Sequence, residues 1–117
     1  AELRTLRTEL LNQLAAMTRR IHDARFFHND LVWRNVLVTW NPPAAPKLWW
    51  SDCPRGHFTR WQWRQGPLRI KDLAALDKVA SRRCTRAERL RFVKRYLGTD
   101  RLDPRTKKLV RQTLAFR

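Results

Sequence analysis

Acidic residues are scarce in this 117-residue chain: ten Asp and Glu face twenty-six Lys and Arg, a formal net charge of +16. That excess is far beyond what solubility needs and points to a polyanionic partner, with nucleic acid, anionic lipid and phosphorylated glycan all qualifying. It is concentrated late, since from Arg82 to Arg117 only Glu88, Asp100 and Asp103 offset the Arg and Lys side chains. Long apolar runs are absent too. None reaches the roughly eighteen residues of a membrane-spanning helix, and Ala1-Glu2-Leu3-Arg4 lacks the basic-then-apolar order of a secretory signal, so a soluble, cytoplasmic protein is expected. Cysteine is limited to Cys53 and Cys84, which form no close pair and no metal-ligand cluster with His22, His28 and His57. A reducing compartment fits, a zinc site is not expected, and both thiols read as small packing residues rather than nucleophiles. There is no internal repeat or low-complexity segment, and 43% hydrophobic residues at this length support one domain, residues 1–117, with a modest core.

What is present is a sequence of helical and extended patterns. Leu3, Leu6, Leu10, Leu14, Met17 and Ile21 recur at helical spacing with polar residues between them, which predicts an amphipathic helix of about twenty residues. Val36 to Trp40 reads as a strand, Asn41-Pro42-Pro43-Ala44-Ala45-Pro46 cannot continue it, and Leu48 to Trp50 reads as the returning strand of a hairpin. Asp52 to Pro67, punctuated by Gly and Pro, is expected to be an ordered loop. Three helices should follow. Ile70, Leu73, Ala74, Leu76, Val79 and Ala80 line one face of the first, from about Leu68 to Arg82. Thr85-Arg86-Ala87-Glu88 is a capping box for the second, which Gly98 stops in a left-handed turn. Asp103 caps the third, with Pro104 in its first turn and Leu109, Val110, Leu114 and Phe116 on its apolar face.

Between the first helix and the hairpin lies His28-Asn29-Asp30-Leu31-Val32-Trp33-Arg34-Asn35, and after the hairpin come Asp52-Cys53-Pro54-Arg55-Gly56. The first segment resembles the H-x-D-L-x-x-x-N catalytic loop of protein-kinase-like phosphotransferases, and Asp52 stands where they place a second metal-binding Asp. Phosphoryl transfer needs in-line placement of a hydroxyl against the γ-phosphate and neutralisation of charge on the transferred group. Asp30 suits the first task, orienting the acceptor hydroxyl and taking its proton as catalytic base. Asn35 and Asp52, joined across the hairpin, suit the second as oxygen ligands for Mg²⁺ and, through it, ATP. His28 reads as a brace for the loop. Arg34, Arg55, Arg60, Arg64 and Lys47 read either as anion ligands or as a solvated basic face. Trp49, Trp50, Trp61 and Trp63 suit stacking on sugars or bases, though Trp at such junctions is more often core.

Together with Arg69-Ile70-Lys71-Asp72-Leu73-Ala74-Ala75-Leu76 and Thr85 to Gly98, these segments are similar to the lipopolysaccharide core kinases, the Kdo and heptose kinases of Gram-negative envelope biosynthesis. The likeness runs from about Leu14 to Gly98. It implies an α+β, mostly α fold, the C-terminal lobe of a protein-kinase-like architecture: helix, catalytic loop, β-hairpin, metal loop, then about three helices. It also implies that Asp72, or its rival Asp77, braces the catalytic loop. Departures are visible. Cys53-Pro54 replaces the Phe-Gly that follows the metal-binding Asp in many kinases, and Val32 stands where relatives carry a polar residue near the γ-phosphate, with Arg34 nearby. No Gly-rich loop, V-A-I-K-like Lys or partner Glu is present, so the chain, which starts inside a helical pattern without Met, is expected to be a fragment lacking the N-terminal lobe.

Two functional classes follow. In the first, the chain is all or part of a kinase transferring phosphate from ATP to a sugar hydroxyl of lipopolysaccharide core or another lipid-linked sugar. Its basic surface would then hold it at the inner face of the inner membrane, with about 1 kcal/mol per nearby Lys or Arg. In the second, it is a non-catalytic basic binding module or degenerate kinase scaffold on anionic membrane or nucleic acid. Specific nucleic-acid recognition is not expected, because no helix-turn-helix or aromatic RNP pattern is visible.

Overall fold

The structure, a computed structural model, describes residues 2–116, the side chain of Glu2 aside. Ala1, and Arg117 of the basic run, lie outside the described residues. Among these residues four α-helices surround two short antiparallel pairings: α1 (Glu2–Asp23), β1 (Phe26–Phe27), β2 (Val36–Thr39), β3 (Lys47–Trp50), β4 (His57–Phe58), α2 (Gln62–Arg83), α3 (Arg86–Leu97) and α4 (Pro104–Phe116). No helix of the described residues is long and apolar enough to cross a membrane.

The hairpin is set as its residue types suggest. Val36 pairs with Trp50, Leu37 with Trp49, Val38 with Leu48 and Thr39 with Lys47. Alternation then divides its faces: Val36, Leu48 and Trp50 turn inward onto Leu14, Leu31 and Leu76, whereas Leu37 and Trp49 stay half exposed on the other side. Helix α1 packs across α3, and α2 packs against α4, around a second cluster of Ala15, Leu73 and Tyr96. Burying a Leu such as Leu76 contributes on the order of 2 kcal/mol from removal of apolar area alone.

The capping box forms as its spacing predicts, with Thr85 Oγ1 accepting the Glu88 amide at 3.0 Å and Glu88 Oε1 accepting the Thr85 amide at 2.8 Å. Gly98 ends α3 at φ 69°, where a side chain would be strained. Asp103 Oδ1 caps α4 by accepting the Thr106 amide at 2.9 Å.

Several expectations need correction. Residues 52–67 are not all loop: Phe26 and Phe27 pair with Phe58 and His57, and α2 begins at Gln62. Its start carries no side-chain cap, and Pro67 lies inside it, forfeiting the amide that would reach the Trp63 carbonyl. The turns around it are mostly exposed, so water can replace that bond. Trp49, Trp61 and Trp63 are exposed rather than core, Cys53 is exposed rather than packed, and Leu3, Leu114 and Phe116 leave much of their surface in solvent. Helical period identifies a face but not how far along the helix a neighbour covers it.

Candidate active site

The catalytic-loop segment leaves β1 at Phe27 and immediately bends. Asn29 takes a left-handed backbone at φ 65°, and Asp52 does the same at φ 49° on the far side of the hairpin. Two non-glycine residues in this sparsely populated region within one site are conformations that the surrounding bonds must enforce. Chief among those bonds are the ones to Asp72 on α2. This carboxylate is fully buried, and it accepts the His28 amide at 3.1 Å, the Asn29 amide at 3.0 Å and His22 Nε2 at 2.9 Å. Asp77 makes none of these contacts and instead receives both nitrogens of the Arg89 fork at 2.8 Å.

A polar chain continues behind Asp72. His22 Nδ1 lies 2.6 Å from the Tyr96 hydroxyl, which accepts from Arg69 Nη1 at 3.0 Å, and Arg69 also reaches Asp23. With Nε2–H donating to the carboxylate, Nδ1 accepts from Tyr96, so one neutral tautomer satisfies every partner. Burial pushes His22 below the usual imidazole range, against the opposing pull of Asp72, and raises the Tyr96 phenol. None of His22, Tyr96 or Arg69 was singled out by the sequence. Thr18 and His22 extend the buried face of α1 from Ala15, but polar residues on a helix face read as gaps in an apolar stripe.

The loop then closes on itself. His28 is buried; its Nδ1 accepts the Asp30 amide at 3.2 Å and its Nε2 faces the Ser51 carbonyl at 3.2 Å, tying the loop to the residue before Asp52. After the turn Trp33–Asn35, whose Trp33 indole donates to the Leu76 carbonyl at 2.9 Å, Asn35 Nδ2 donates to the Asp30 carbonyl at 2.8 Å and to Asp30 Oδ2 at 3.3 Å. The Asn35 carbonyl in turn accepts the Ser51 amide at 2.9 Å. Asp30, Asn35 and the entry to Asp52 thus share one end of the hairpin.

The donor set suits a hard divalent cation. Asn35 spends its amide nitrogen on Asp30, leaving Oδ1 with no hydrogen-bond partner among the described residues, and the exposed Asp52 carboxylate has none either. Two or three oxygens, with phosphate oxygens completing the shell, are what Mg²⁺ favours. No group of three or more His, Cys, Asp or Glu able to hold a metal gathers anywhere among the described residues, this site included. Arg34, Arg55, Arg60, Arg64 and Lys47 are exposed and form no ion pair among the described residues. Gly56 has a packing reason, since a Cβ there would lie 2.6 Å from Phe26 Cζ. Asn29 and His57, also not foreseen, meet at 2.9 Å, and Asn29 Oδ1 is buried without a hydrogen-bond partner among the described residues.

Three comparisons bear on this geometry. No curated protein sequence matches the chain. A solved structure, WaaP in complex with acyl carrier protein, aligns with a TM-score of 0.73 at 28% identity over 95% of this chain. The alignment takes in 46% of WaaP, so the chain spans about half the length of that relative, and the shared architecture is a mostly helical α+β portion of a protein-kinase-like fold. The lipopolysaccharide kinase (Kdo/WaaP) family model matches residues 3–96, the stretch that contains the catalytic loop, the hairpin, Asp52 and Asp72. On that match the chain belongs to the lipopolysaccharide kinase (Kdo/WaaP) family.

Proposed function

We propose that the chain carries the acceptor and metal side of an ATP-dependent phosphotransferase whose substrate is a sugar hydroxyl of lipopolysaccharide core. The observation that carries this reading is the Asp30–Asn35 hydrogen bond, which turns the Asn35 amide nitrogen to Asp30 and leaves its oxygen, like the exposed Asp52 carboxylate, without a hydrogen-bond partner among the described residues. Asn35 and Asp52 would hold Mg²⁺, which when bound with ATP neutralises charge on the transferred phosphate. Asp30 orients the acceptor: the sugar oxygen forms a bond to the γ-phosphorus, the bond to the bridging oxygen of ADP breaks, and the hydroxyl proton passes to the Asp30 carboxylate. Asp72 and His28 act through the loop backbone as positioning residues. The Gly-rich loop and phosphate-positioning Lys of the kinase motif set are assigned to a second, N-terminal lobe.

The acceptor is lipid-linked, so the chain works at the inner face of the inner membrane, where the +16 charge favours anionic head groups. WaaP was solved in complex with acyl carrier protein, and one feature of this chain supports proposing a partner of that kind for it too. An apolar cavity of about 440 Å³ between α1, α2, α3 and α4, lined by Leu76, Phe92, Leu109 and Leu114 among others, has the size and polarity for an acyl chain.

Calorimetric titration of Mg-ATP tests the metal side without the acceptor. Heat that requires Mg²⁺ and disappears in Asp52→Asn is expected. Equal heat from both chains would overturn the assignment, and metal-independent binding would favour a basic scaffold.

A further inference from the structure

Residues 53–71 contain no Asp or Glu, while Arg55, Arg60, Arg64, Arg69 and Lys71 fall among them. Within this stretch Phe58 is 71% exposed, Trp61 64% and Trp63 75%, which makes three large aromatic side chains in water within six residues. Exposed aromatic surface of this density is not normal for a side chain merely left over at a loop. It is also held firmly. Thr59 is buried and its amide donates to the Arg25 carbonyl at 3.0 Å, Phe58 meets the Phe26 ring at 5.1 Å, and His57 meets Asn29 of the catalytic loop. The anchor points inward at Thr59 while Phe58, Arg60 and Trp61 are presented outward.

We propose that Phe58, Trp61 and Trp63, flanked by Arg60 and Arg64, form a docking wedge for an anionic bilayer surface. Indole rings settle at the depth of lipid head groups, and arginines beside them meet lipid phosphates, so the composition fits a lipid–water boundary better than a dry protein interface. Charge complementarity selects the anionic leaflet. Because β4 pairs with β1, the strand that runs directly into His28, a docked wedge sets Asp30 close to the bilayer, where a lipid-linked sugar would present its hydroxyl. The inference deepens the membrane-side reading above and rests on it.

The test uses the full chain with vesicles of phosphatidylglycerol and phosphatidylethanolamine, some carrying lipid brominated near the head group as a fluorescence quencher. Wild type is expected to sediment with anionic vesicles, to ignore purely zwitterionic ones, and to lose Trp emission to the bromine. Trp61→Phe/Trp63→Phe should still bind but lose most of the quenching. Arg60→Gln/Arg64→Gln should bind roughly thirtyfold more weakly. Absence of binding, or quenching unchanged in the double Phe variant, would overturn the wedge, as would vesicle binding abolished by excess duplex DNA. Asp52→Asn should bind vesicles as wild type does, so a failed vesicle result beside intact Mg-ATP heat rejects the wedge alone, whereas lost heat beside intact vesicle binding rejects the metal site alone.

Discussion

Asp72 and Asp52 flank the same loop, residues 28–35, and the fold treats them in opposite ways. Asp72 is fully buried and accepts three hydrogen bonds, two from loop amides and one from His22; Asp52 is exposed, sits in a left-handed backbone and accepts none from the described residues. One carboxylate is committed to structure. The other is free of hydrogen bonds from the described residues, and under the proposed function it takes the metal. A buried carboxylate is tolerable only when its acceptor sites are filled, and an exposed one has little to lose by waiting for a cation.

Removing each should therefore give very different results. Asp72→Ala strands two amides and the His22 ring in a dry site and is expected to cost about 3–5 kcal/mol in urea unfolding. Asp52→Ala should change stability by less than about 0.5 kcal/mol. Equal losses would erase the contrast. Tyr96→Phe deletes the hydroxyl shared by His22 and Arg69 and should cost about 1–2 kcal/mol in the same assay.

The buried side should also sense pH. His22 is held below its ordinary value near 6.5, so as pH falls through that value the unfolded chain binds a proton that the folded chain refuses. Stability should decline with falling pH from about 6.5 until the folded His22 itself titrates, then level off, and His22→Gln should flatten that window. The capping box responds in the same sense, in a more acidic window. Hydrogen bonds from Arg7 and Thr85 hold Glu88 down to about 2, so its contribution is full above about 4.5 and is lost as pH falls toward 2. Thr85→Ala, far from the loop, should cost about 1 kcal/mol and leave Mg-ATP heat unchanged.

The two sides were not equally legible from sequence. The Asp30–Asn35 contact could be read directly from their spacing, because the turn into β2 brings them together, and the hairpin register places Ser51, the residue before Asp52, on the Asn35 carbonyl. The α3 cap was also legible, since its hydrogen bonds are local. The hub was not. Asp72 and Asp77 both lie on α2, and only the tertiary contacts, loop amides for one and Arg89 for the other, separate them. His22 was invisible for a related reason: its partners stand 50 and 74 residues away. The start of α2 was hidden by Pro67 and the lack of a capping residue, and the exposure of Trp61 and Trp63 went with it.

The division of labour itself can be read from the Asn35 side chain. Mn²⁺ can replace Mg²⁺ and broadens nearby nuclear resonances, so ¹⁵N-labelled chain titrated with Mn-ATP reports which groups lie beside the metal. The side-chain NH₂ signals of Asn35 should broaden first in wild type and stay sharp in Asp52→Asn. Broadening that survives Asp52→Asn, or that centres on His22 and Asp72 instead, would contradict the assignment of Asp52 to the ligand and Asp72 to the fold.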